Sequence, residues 1–107
     1  MDRTAAFRNA QATLNKFRRT GVTVVSMVRF LRYLLDIGAW RQLEQILIPD
    51  PYGEEWDDWS RQYVYKRFRR GVESDMRLGY SKKAAYGLRV SLAVDRQPTF
   101  QWRFDWS

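Results

Sequence analysis

From Val22 to Ile37 the apolar residues recur at the helical period. Val24, Val28, Leu31 and Leu35 form a stripe that Met27, Phe30 and Leu34 widen, the pattern of an amphipathic helix with a buried face. Gly38 stands as its C-terminal stop. Before it, residues 3–19 predict a more polar helix with Phe7, Leu14 and Phe17 as its large apolar anchors, ended at Gly21. After it, Trp40, Leu43 and Leu47 share one side of a short third helix. Pro49-Asp-Pro-Tyr-Gly53 leaves no helical option and predicts a loop.

A fourth helix opens on Glu54, Glu55, Asp57 and Asp58 and runs to Lys66, Arg67, Arg69 and Arg70, with Gly71 following. Acids at the start and bases at the end complement the helix dipole. Trp56, Trp59 and Tyr63 lie close together on it, and Val64, Phe68 and Val72 continue around the face. The period then changes. Leu88, Val90, Leu92 and Val94 alternate with Arg89, Ser91, Ala93 and Asp95, and Phe100, Trp102, Phe104 and Trp106 alternate with polar residues beyond Pro98. Two period-two runs across a short polar connection predict a β-hairpin over 88–106. The expected fold class is therefore α+β, mainly helical for the first two-thirds with a C-terminal β-hairpin. One small domain spans 1–107, made of a basic helix or arm over 1–19, a helical core over 22–86 and the hairpin.

Composition narrows the function. The chain holds neither Cys nor His, which removes disulfides, zinc fingers and thiol or imidazole catalysis. Adjacent acids such as Glu54/Glu55 and Asp57/Asp58 point apart on a helix, and their spacing does not match a calcium loop. A solvated helix start accounts for them. The six glycines are scattered at element ends and form no phosphate loop. The reading is a non-enzymatic protein with no cofactor and no metal. No run approaches the ~20 apolar residues of a spanning helix, and no signal peptide is visible. A soluble intracellular protein is expected, and the Arg-bearing first 19 residues are also compatible with mitochondrial import.

Charge supplies the positive indication. The formal net charge is +7, with 19 Lys and Arg against 12 Asp and Glu. Residues 1–35 carry +6, residues 36–60 carry −6 and residues 61–107 carry +7. Arg61, Lys66, Arg67, Arg69 and Arg70 form a ridge suited to phosphates, interleaved with Tyr63, Tyr65 and Phe68 that could stack on bases. The same ridge also reads as a solvated face, or as one paired with the acidic middle.

Residues 74–90, Ser-Asp-Met-Arg-Leu-Gly-Tyr-Ser-Lys-Lys-Ala-Ala-Tyr-Gly-Leu-Arg-Val, carry a small residue at Ser74, a turn glycine at Gly79, a capping Ser81, a small Ala85 and a core-directed Leu88. This stretch resembles the helix-turn-helix motif of DNA-binding proteins. The resemblance implies that helix 81–87 enters the major groove with Lys82, Lys83 and Tyr86, and that the hairpin behind it is a wing with Arg96 and Gln97 at its tip. Asp75, Arg77 and Gly87 depart from the motif. Phe30-Leu-Arg-Tyr-Leu-Leu35 is similar to the leucine-tyrosine-arginine motif of small basic mitochondrial accessory proteins, an all-helical family. Leu31 stands where the tyrosine would be, and the leucines are most simply core.

Two functions are thus expected. One is binding of nucleic acid, DNA or RNA, through Arg61, Lys66, Arg67, Arg69, Arg70, Lys82, Lys83 and Arg96. The other is an accessory or structural subunit that docks on a protein partner, or on its own copies, through Trp102, Phe104 and Trp106.

Overall fold

The computed structural model describes residues 3–48 and 58–96. Five helices follow in order: α1 (Arg3–Thr20), α2 (Val24–Ile37), α3 (Trp40–Leu47), α4 (Asp58–Arg77) and α5 (Lys82–Arg96). The described residues contain no strand.

Helix α2 is the centre of the packing, against α1, α3 and α5, while α5 also packs on α3 and α4. The α2 stripe goes inward as its period requires: Met27, Leu31 and Leu34 are fully buried, with Leu14 of α1 and Leu43 of α3. Phe17 meets Phe30 edge-on, ring centroids 5.3 Å apart. Thr23 begins α2 by accepting a hydrogen bond from the Ser26 backbone N–H at 3.2 Å. Gly38, at φ +71°, ends it with the Ala39 N–H bonded back to the Leu34 carbonyl at 2.9 Å, a Schellman closure that a side-chain-bearing residue would strain. Gln11 ties α1 to α3 through Gln42 and Gln45 at 3.0–3.1 Å.

The expected hairpin is overturned. Residues 88–96 belong to α5, so the fold is mainly helical rather than α+β. The apolar residues of this stretch satisfy two periods at once. Alternation selects Leu88, Val90, Leu92 and Val94, but helical spacing selects Ala85, Tyr86, Val90, Ala93 and Val94. The helix wins because that second set meets the core: Ala85, Tyr86 and Val90 are buried, and Ala93 and Val94 pack against them. Leu88, expected to point inward, is exposed, as is Leu92. With α5 continuous through Arg96, the wing expected behind the helix-turn-helix resemblance is absent there. The second run, with Trp102, Phe104 and Trp106, lies outside the described residues.

Helix α4 passes through Gly71 instead of stopping before it. A Cβ at Gly71 would come within 2.8 Å of the Arg89 guanidinium, so the missing side chain lets α5 approach the α4 backbone. Arg89 donates to Asp75 at 2.6 Å and to the Ala85 carbonyl at 2.9 Å, and lies 5.5 Å from the Phe68 ring centroid. The turn after α4 is closed at Gly79, φ +105°, with the Tyr80 N–H on the Asp75 carbonyl. Ser81 then caps α5 by accepting from the Ala84 N–H at 3.1 Å.

Candidate nucleic-acid interface

Helical phase separates two faces of α4. At about 100° per residue, Val64, Phe68, Gly71, Val72 and Asp75 face the other helices, and they are buried or half-buried. Trp59, Tyr63, Lys66, Arg70 and Arg77 fall on the opposite side and are exposed. Arg67, also exposed, stands on the flank between the two faces, beside a groove it lines with Val64, Phe68 and Gly71. Among the described residues, Lys66, Arg67, Arg70 and Arg77 make no ion pair. Glu73 is an exposed acid within the same outer face, between Arg70 and Arg77 along the helix. The upper end of that face is aromatic: Trp59 stacks on Tyr63, centroids 5.6 Å apart and planes 13° apart.

Arg69 faces elsewhere. Its Nε and a terminal nitrogen donate to both carboxylate oxygens of Glu44, at 3.0 and 2.8 Å, the two-pronged geometry that suits guanidinium to carboxylate. The Tyr86 hydroxyl donates to the same carboxylate at 2.9 Å. Glu44 is only 4% exposed. Burial works to raise its pKa, but the hydrogen bonds from Arg69 and Tyr86 and the charges of Arg69 and Lys82 outweigh it, holding the carboxyl below its ordinary value. Burial, then the bond to Glu44, pushes the Tyr86 phenol above its usual range. The bond to Glu44 likewise raises Arg69.

This triad joins α3, α4 and α5 at the floor of a cleft of about 540 Å³, walled by Trp40, Val72 and Met76. Tyr86 stacks on Trp40 at 4.8 Å. The cleft's most buried polar groups are therefore already satisfied by one another.

The remaining expected site residues have separate environments. Arg61 lies on the side of α4 turned away from the exposed stripe and has an interaction of its own. Lys82 sits 5.3 Å from the Trp40 ring centroid. Lys83 pairs with Asp36 at 2.8 Å across an exposed contact. Arg96 is the last residue of α5. Tyr86, which the helix-turn-helix resemblance would present to bases, is buried. Of the three aromatics expected to stack on bases, Tyr63 is exposed, whereas Tyr65 and Phe68 are half-buried.

Sequence reasoning missed the Glu44–Arg69–Tyr86 triad. It placed Trp59 and Tyr63 close together, but on the face that Val64, Phe68 and Val72 continue rather than on the outer one, where both are exposed. The signal for the triad was present: Glu44 follows Leu43 at a phase of α3 that its neighbours mark as inward. Comparison with family models, with curated proteins and with solved structures finds no match in any of the three. No helix among the described residues is long and apolar enough to cross a membrane.

Proposed function

We propose that this protein binds nucleic acid, without catalysis, through the outer face of α4. The observation that carries this reading is the row Lys66, Arg67, Arg70 and Arg77, exposed and free of acidic partners among the described residues. Spread over three helical turns, these cations suit a row of phosphates, each contact releasing condensed counterions. Arg supplies most of the row, and its fork matches phosphate oxygens better than a lysine ammonium does. Arg69 is left out, because its guanidinium is committed to Glu44.

The helix-turn-helix resemblance would route contact through Lys82 and Lys83 on α5. Both are occupied within the chain, by Trp40 and Asp36, so α4 is the favoured surface. The test is anisotropy of labelled duplex and single-stranded oligonucleotides at two salt concentrations. Binding that weakens steeply with salt, and that Lys66/Arg67/Arg70→Ala abolishes in a folded protein, supports the proposal. Affinity unchanged in that variant contradicts it.

A second reading, docking as an accessory subunit, is favoured by a separate observation. Leu88 and Leu92 are exposed one turn apart on α5, and Leu78 is exposed in the preceding turn. Such residues gather where a partner covers them. A cooperative monomer that binds no hydrophobic dye speaks against this reading.

A further inference from the structure

The stacked Trp59–Tyr63 pair sits in line with the bases of α4. We infer that this pair is a stacking platform for unpaired bases, making single-stranded nucleic acid the preferred ligand of the basic stripe. The inference rests on the proposed function above and deepens it.

Two large aromatics side by side on a solvent face are costly to leave uncovered. Trp59 is 72% exposed and Tyr63 is 50% exposed. Neither belongs to the buried core or to the hydrophobics packed against it. Tyr63 stacks on the Trp59 ring, and most of the Trp59 surface remains exposed. Packing within the described helices therefore does not account for the pair. Their nearly parallel planes, 13° apart, are the geometry that a base continues when it adds itself to a stack.

What lies beyond the pair identifies the occupant. One and two turns further along the same face stand Lys66 and Arg70, with exposed Arg67 on its flank. At 1.5 Å rise per residue, Trp59 and Arg70 are about 16 Å apart along the axis. A strand whose bases rest on the rings thus has its following phosphates over the cations. A duplex cannot use the rings in this way, because its bases already stack on one another, and would engage the cations alone. An apolar or acidic protein segment has a use for only half of the stripe. Ring faces next to cations match a polyanion that also carries flat aromatic groups.

The experiment titrates the full-length protein into labelled oligo(dT), oligo(U) and a duplex of the same length at low salt. Wild type should prefer the single strands. Trp59→Ala and Tyr63→Ala should each weaken single-strand binding about tenfold, while duplex affinity and the salt dependence hold steady. Trp59→Phe should retain most of the binding, since it keeps a ring to stack on. Circular dichroism checks that each variant remains helical, and the exposure of both residues predicts that it does. The oligo(dT) and oligo(U) arms show whether the strand is DNA or RNA.

Single-strand binding indifferent to both ring-to-Ala substitutions, but lost with Lys66/Arg67/Arg70→Ala, overturns the platform and leaves the basic surface standing. Equal loss of duplex and single-strand binding in the ring variants also overturns it. No binding of any oligonucleotide by wild type overturns both.

Discussion

Arg69 and Arg70 are consecutive arginines on one helix with opposite surroundings. Arg69 lies over the α3 side, where a buried carboxylate takes both prongs of its guanidinium and a tyrosine hydroxyl completes the site. Arg70, about 100° further around, looks outward with Lys66, Arg67 and Arg77 and meets no acid among the described residues. The first arginine helps join three helices. The second leaves its charge available. A run of bases in sequence is therefore not one feature: whether a carboxylate from a neighbouring helix lies within reach of each decides whether it stabilises the fold or faces a ligand.

The largest effect is expected from the outward set. Lys66/Arg67/Arg70→Ala should lower oligonucleotide affinity about 100-fold at low salt. Thermal stability should change by less than about 0.5 kcal/mol, as for exposed positions generally. Loss of helicity in this variant would instead mean that the outward bases support the fold.

Next comes the inward arginine. Arg69→Ala leaves Glu44 and Tyr86 without their cation and should cost about 2 kcal/mol in denaturant unfolding. That is less than the roughly 3–5 kcal/mol of a fully buried broken pair, because the Arg69 side chain is itself 54% exposed. Oligonucleotide affinity should stay close to wild type.

Acid provides a third comparison. Glu44 has a folded pKa below its ordinary value, about 4.3 in an unfolded chain. Its contribution to stability is fully present above that ordinary value and is lost as pH falls through the lower folded one. Urea midpoints measured below pH 4 should therefore drop more steeply for wild type than for Glu44→Gln, which has no carboxyl to protonate. Parallel acid profiles would remove the triad from the account of stability.

The smallest effect is expected at Lys83→Ala. Its pair with Asp36 is exposed on both sides, and such pairs contribute about 0–1 kcal/mol. A loss above about 1 kcal/mol in a thermal melt would place this contact among the structural ones.

The first three helices were legible in sequence because their apolar residues admit one period. Leu31 and Leu34 could only go inward, and Gly38 could only end α2. Residues 88–94 admitted two periods, and the choice depended on Ala85 and Tyr86 finding α2 and α4, contacts that no local pattern contains. Gly71 looked like a stop because a helical glycine is unfavourable in isolation, yet Arg89 from the neighbouring helix needs the space. The cationic ridge was visible as a cluster, but its division was not, since Arg69's partner lies 25 residues away on α3. The aromatic pair was visible as a spacing of four, and only the packing revealed which side of α4 it occupies.

Salt titration of oligonucleotide binding by Arg69→Ala and Arg70→Ala, side by side with wild type, tests the division of α4 most directly. The account predicts that Arg70→Ala lowers the slope of log affinity against log salt by about one phosphate contact, while Arg69→Ala keeps the wild-type slope and loses stability instead. Equal slopes for all three proteins, or a reduction confined to Arg69→Ala, would contradict it.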